Sequence, residues 1–230
     1  MATKMQSYCP EITEMIRTAE QIQADVEEEL RWEPSVQSEQ IGVSVRDGIV
    51  ELDGHVGSFY EKWGAERAAL RVANVKSIAS EIIVDIPASE ARPDDDIAVA
   101  ANNQMEWNSL VPATIKLKVS DGWVTLYGTA EWQFQREEAA RIFGSLLGVK
   151  GVSNEIKLKP KVSAEGVKAA IEDAFRRDAQ IDSENITVET HESAVTLRGD
   201  VHSWAERQEA EHIAFDAPGV SSVTNLIEIR

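Results

Sequence analysis

A glycine at positions 54, 128 and 199, each time closing the same short apolar pattern, constrains this chain more than any other feature. The segments read GIVELDG (48–54), GWVTLYG (122–128) and SAVTLRG (193–199). A valine stands four residues before each glycine (Val50, Val124, Val195) and a leucine two before it (Leu52, Leu126, Leu197). Eight residues after it comes a base: Lys62, Arg136 or Arg207. Alanine follows at eleven (Ala65, Ala139, Ala210) and valine at twenty-one (Val75, Val149, Val220). Agreement at so many fixed offsets, with no gap, marks an internal triplication. A period of about 70 residues exceeds the ~20–50 of a thin solenoid, so each copy is expected to be its own small domain. A unit of that size buries only ~60% of its surface and gains from docking on its neighbours.

Within a copy the hydrophobic period changes in a fixed order. A helical stretch comes first: 19–32 in copy one, from Asp94-Asp95-Asp96 to Trp107 in copy two, and from Ser163 to Arg177 in copy three, with Val167, Ile171 and Phe175 at helical spacing. The Asp run and Ser163 are read as N-caps. Alternation at Ile41, Val43 and Val45, at Ile115, Leu117 and Val119, and at Ile186 and Val188 gives a half-buried strand. Asp47-Gly48 and Asp121-Gly122 are hairpin turns into a second strand, and Glu192-Ser193 is a weaker one. A second helix follows each repeated glycine. Ser58 with Glu61 and Ser203 with Glu206 have capping-box spacing, whereas Trp132 and Gln135 leave that cap absent or shifted. Ala65, Ala68 and Ala69 and their counterparts form its inward stripe. The final strands are expected from Ile82, Ile156 and Ile227.

The expected fold is therefore α+β: three tandem α-β-β-α-β modules, each a small three-stranded mixed sheet with two helices on one face. Strands two and three, joined by a helix, should pair parallel with a right-handed crossover. The divisions are an N-terminal arm (1–18) and modules over 19–87, 94–160 and 161–230, separated by Pro-containing linkers.

The strand ending VxLxG, the helix with a base and alanines, and the closing GV-xxV-xN-xI resemble the BON domain (bacterial OsmY and nodulation) over residues 19–230. Asn154 and Asn225 fit the family asparagine. The first copy has Ser80 there, and Asn74-Val75 in place of Gly-Val. The resemblance implies modules without catalysis that bind phospholipid surfaces or protein partners, assist the envelope in osmotic stress, or, as in a potassium-binding relative, sense K⁺. Many members are periplasmic. This chain lacks the LysM module of the potassium-binding relative.

Charge and chemistry narrow the function classes. The formal net charge is −17, which repels polyanions at long range. The single Cys9 allows no internal disulfide. No stretch nears the ~20 apolar residues of a membrane span, and the first residues lack the ~7–15 apolar residues of a secretory signal. A cytoplasmic location is expected, or a periplasmic one if a leader has been removed. His55, His191, His202 and His212 include no i, i+4 metal pair. Glu27-Glu28-Glu29 and Asp94-Asp95-Asp96 lack the staggered oxygens and turn glycine of a cation loop. Gly54-His55-Val56-Gly57 spells an RNA-clamping GxxG, but the other copies do not repeat it, which argues against nucleic acid. No cofactor is expected, save K⁺ on the sensor reading.

The strongest candidate is a surface. In copy two, alternation sends Lys116, Lys118, Trp123, Tyr127, Lys157 and Lys159 to the sheet face away from the helices. Residues 88–160 hold 8 bases and 10 acids, against 8 and 16 before them and 7 and 14 after. A basic, aromatic face on the least acidic module is expected to meet an anionic partner: an acidic module of the same chain, another copy of the protein, or a phospholipid headgroup surface.

Overall fold

The two-residue turns set the architecture. Asp47 and Gly48 take φ of 54° and 81°, and Asp121 and Gly122 take 53° and 77°, the left-handed pair that closes a tight hairpin with the strands' own twist. In the third copy Glu192 alone is left-handed, at φ 52°, and the turn still joins His191 to Ala194. The computed structural model describes residues 17–159, 166–178, 181 and 185–230. Cys9 and Ser163 lie outside them.

Three separate three-stranded sheets result, in orders β1-β2-β3, β4-β5-β6 and β7-β8-β9. Module one comprises α1 (Ala19–Trp32), β1 (Ile41–Arg46), β2 (Ile49–Val56), α2 (Phe59–Leu70) and β3 (Ser77–Val84). Module two comprises α3 (Asp94–Trp107), β4 (Lys116–Ser120), β5 (Trp123–Ala130), α4 (Gln133–Gly144) and β6 (Gly151–Leu158). Module three comprises α5 (Val167–Arg177), β7 (Ile186–His191), β8 (Ala194–Val201), α6 (Trp204–Asp216) and β9 (Ser222–Ile229). The first two strands of each pair antiparallel and the second and third parallel.

The last strands begin five residues earlier than the sequence reading placed them, at Ser77, Gly151 and Ser222. The parallel ladder runs from the first residue of the middle strand, Ile49↔Ser77, Trp123↔Gly151 and Ala194↔Ser222. A polar residue at an inward position interrupts the apolar alternation and hides this start. Asn154 turns its amide to Arg136 O (2.8 Å) and accepts from Ile156 N–H (3.3 Å); Asn225 does the same with Arg207 O (3.1 Å) and Ile227 N–H (3.2 Å). Ser80 is too short for this, and its buried hydroxyl has no partner among the described residues.

The repeated residues have clear physical duties. Val50, Leu52, Val124, Leu126, Val195 and Leu197 are all buried, as are Val75, Val149 and Val220. Each forms part of its own module's core beneath the alanine stripe. Gly54, Gly128 and Gly199 take φ of 126°, 123° and 135°, and a Cβ there would stand 2.0, 2.2 and 1.9 Å from the carbonyl oxygens of Gln40, Thr114 and Asn185. Only glycine lets the first strand come so close to the second. Asn74, at φ 66°, serves where Gly148 and Gly219 make the same left-handed turn, a conformation that asparagine tolerates.

Helix starts differ in part from expectation. Ser58 and Ser203 cap α2 and α6 by accepting from the N–H groups of Glu61 and Glu206, each at 3.2 Å. In α4 the hydroxyl is missing, but Gln135 Oε1 accepts from Glu131 N–H (3.0 Å) and Trp132 N–H (3.2 Å). The Asp run is not the cap of α3. Pro93 holds that position, and the three aspartates fill the first turn. There Asp94 accepts from the hairpin amides of Asp121 and Gly122, both at 2.8 Å. α5 begins at Val167 after Gly166.

Modules one and two touch through Phe59, which packs against the second core. Its ring lies close enough to Gly144 that a Cβ there would stand 3.1 Å away. Leu158 likewise packs against both the second and third cores.

Candidate functional site

The strand register assembles the predicted surface row by row. Lys116 stands opposite Tyr127, which stands opposite Glu155; Lys118 opposite Thr125, opposite Ser153; Ser120 opposite Trp123, opposite Gly151. Lys157 pairs with Thr129, and Lys159 continues the strand as its N–H donates to Ala130 O at 2.8 Å. All six predicted residues are exposed, while Leu117, Val124, Leu126 and Ile156 turn inward. Among the described residues none of the four lysines is held in an ion pair.

Glu155 shares this face and was missed because β6 was started too late. Its odd number, two before Lys157, was the available signal. The face is thus four lysines around one carboxylate. Trp123 also has a structural duty. Its indole lies across Gly151, where a Cβ would come within 2.5 Å, and its N–H donates to Ser153 Oγ at 2.9 Å. The ring is held flat yet remains 49% exposed, and Tyr127 is 42% exposed. A ring pinned like that of Trp123 loses little entropy when covered, because its rotamer is already fixed.

The same face differs in the other modules. Module one carries Glu51, Asp53, Glu81 and Asp85 with Arg46, and two exposed isoleucines, Ile49 and Ile83. Module three pairs most of its outward charge internally: Arg198 lies 3.6 Å from Glu189 and Arg230 lies 2.9 Å from Asp200, and Glu228 is the further exposed carboxylate.

Several of the remaining sequence candidates make contacts within their own module. His55 Nδ1 lies 2.6 Å from Asp85 and His212 lies 3.6 Å from Asp216. No group of three metal-ligating side chains occurs among the described residues. The GxxG amide of Gly57 donates to Glu61 Oε2 at 2.9 Å, so this loop is fastened to the start of α2. Glu29 of the acidic run, with Glu33, holds Arg71 at 2.7 and 3.0 Å. The Ser35 hydroxyl and then the Arg71 guanidinium lower the Glu33 pKa. Arg141 does the same to Glu138 in module two. Trp107, the last residue of α3, is 89% exposed, which the sequence reading did not single out. No described helix is long and apolar enough to cross a membrane.

The BON domain family model matches residues 18–85, 93–160 and 163–230. The chain belongs to the BON domain family. Among curated relatives, the osmotically-inducible protein Y of Escherichia coli (strain K12) is 30% identical over 147 residues, 59% of this chain and 73% of that protein. Solved structures with likeness include the C-terminal domain of CdsD, a structural protein of the type III secretion system of Chlamydia trachomatis. It shows 15% identity, a TM-score of 0.26, and coverage of 90% of this chain and 96% of that one. The PrgH periplasmic domain follows at 10% identity, a TM-score of 0.23, and coverage of 83% and 95%. Overlaps this low carry no weight beside the BON match. In each BON copy the matched span closes on the strand whose outward side differs between modules.

Proposed function

We propose that this chain is a non-catalytic binding and scaffolding protein of osmotic or envelope stress, and that its middle module docks onto negatively charged surfaces through its open sheet. The stress setting rests on kinship with an osmotically inducible BON protein. The docking rests on one observation: four exposed lysines, unpaired among the described residues, share a sheet face with two half-exposed aromatics, of which Trp123 is held by Ser153. Cations around an amphipathic aromatic suit an anionic surface, where the ring covers apolar area and the charges settle at its edge. The remaining carboxylates keep the other surfaces away from such a partner, so the contact is oriented.

Vesicles of acidic phospholipid provide a defined anionic surface for the test. The full chain should co-sediment with them at low salt, release at high salt, and ignore zwitterionic vesicles. Lys116→Glu with Lys118→Glu should abolish co-sedimentation without changing the circular dichroism spectrum. Equal co-sedimentation of wild type and variant would remove the assignment to this face.

A further inference from the structure

The open sheets of modules one and two are complementary to one another, and one chain does not join them. On module one, four carboxylates (Glu51, Asp53, Glu81, Asp85) outnumber Arg46 around the exposed Ile49 and Ile83, with Asp85 also 2.6 Å from His55 Nδ1. On module two, four lysines and the single carboxylate of Glu155 surround the exposed Trp123 and Tyr127. These four carboxylates and four lysines are all exposed, and among the described residues no ion pair links the two sets. Module one instead meets module two through Phe59 on α2, a helix that covers the opposite side of its sheet. Module three matches neither face as well, because its outward arginines lie against Glu189 and Asp200 and only Glu228 is left over.

We infer that the partner of the module-two sheet is the module-one sheet of a second copy of this chain. This deepens the reading that the lysine face docks negative charge and rests on it. The contact is heterologous, since each copy offers one basic and one acidic face. Association is therefore head to tail, and it extends unless a ring closes. Each face is three strands wide at about 4.8 Å spacing and at most about eight residues long at about 3.3 Å, or no more than roughly 380 Å². That is less than half of the ~800 Å² per partner in a stable complex, so the association is weak, reversible and sensitive to salt.

Sedimentation velocity on the full chain tests this, from about 5 to 200 µM protein, at about 50 and 500 mM salt. Weight-average mass should rise with concentration at low salt and fall to that of the monomer at high salt. Lys116→Glu/Lys118→Glu leaves acid on both faces, and Glu51→Lys/Glu81→Lys leaves base on both. Each variant alone should lose association at least tenfold. Mixed in equal amounts they should associate again, because the altered faces complement each other and the unaltered faces do too. A wild type that stays monomeric throughout, or a mixture that stays monomeric, overturns the inference. The vesicle experiment separates the two failures. Retained vesicle binding with no self-association leaves the docking face standing and removes only the second copy. Loss of both removes the docking reading itself.

Discussion

Glu61 is the one charged side chain among the buried residues described, at 8% exposure, and replacing it with alanine is the most demanding test of the fold. Its Oε1 accepts from Gln37 N–H at 2.8 Å and its Oε2 from Gly57 N–H at 2.9 Å. The first fastens the segment between α1 and β1, and the second the segment between β2 and α2. One carboxylate therefore ties down two of the module's connecting segments. A hydrogen bond to a charged group is worth about 1.5–3 kcal/mol, and an orphaned buried N–H costs about 1–3 kcal/mol. These overlap, and water can reach the amides from the surface side, so Glu61→Ala should cost about 3 kcal/mol. A module of this size has only about 3–10 kcal/mol in total, and about 4–8 °C of melting temperature goes with each kcal/mol. Module one should thus melt roughly 12–24 °C lower. Hydrogen exchange read by mass spectrometry would localise the effect: residues 17–85 should lose protection while modules two and three keep theirs. Glu61→Gln should lie between, since its NH₂ would face an N–H donor. A loss below about 1 kcal/mol, against the value expected for two charged-group bonds, or equal loss in all modules, would refute the reasoning.

Three further outcomes follow from other contacts. Gly128→Ala should destabilise module two by about 2 kcal/mol or more, since the φ of 123° and the Thr114 carbonyl at 2.2 Å both oppose a Cβ; urea unfolding with unchanged slope would show it. Arg207 donates to Ile227 O and Asn225 O, both at 3.0 Å, along the outer edge of β9. Arg207→Met should therefore weaken module three by about 1–3 kcal/mol and promote aggregation on heating, read by light scattering, because it bares an edge strand. Glu33 has a folded pKa below its ordinary 4.5. Its contribution is present above that ordinary value and is lost as pH falls through the lowered one. Arg71→Leu should flatten the acid limb of the stability curve between neutral pH and pH about 3, and an unchanged acid limb would contradict the pairing.

The core was legible because its signal is repeated three times. Valines and leucines at fixed offsets reported both the sheet's inward face and the parallel return of the third strand. The starts of β3, β6 and β9 were not legible, because Ser80, Asn154 and Asn225 place a polar group where alternation calls for an apolar one; for the two asparagines the structure shows why. Their reason is a hydrogen bond to a helix carbonyl eighteen residues away, which no local pattern contains. Glu155 was lost with the same error. The α3 cap failed for a related reason: Asp94 bonds forward to a turn 27 residues on, so its role depends on tertiary contact rather than on helix grammar.

The division between what repeats and what varies carries the functional argument. The positions that repeat are those where packing allows little freedom: a glycine under a carbonyl, valines in a core, an alanine stripe against a sheet. On the opposite side of each sheet, Trp123 over Gly151 apart, the fold constrains the residue little, since an outward position on a half-buried strand tolerates most side chains. There the three modules diverge into an acidic face, a basic face and one whose arginines are met by its own carboxylates. Folding does not require this contrast, and the charge placed on the lysine face opposes the chain's own net sign. Reversing Lys157 and Lys159 to glutamate should therefore leave thermal stability within about 0.5 kcal/mol, as for other exposed substitutions, while weakening whatever the face holds. A large loss of stability in that variant would show that the lysines serve the fold and not a partner.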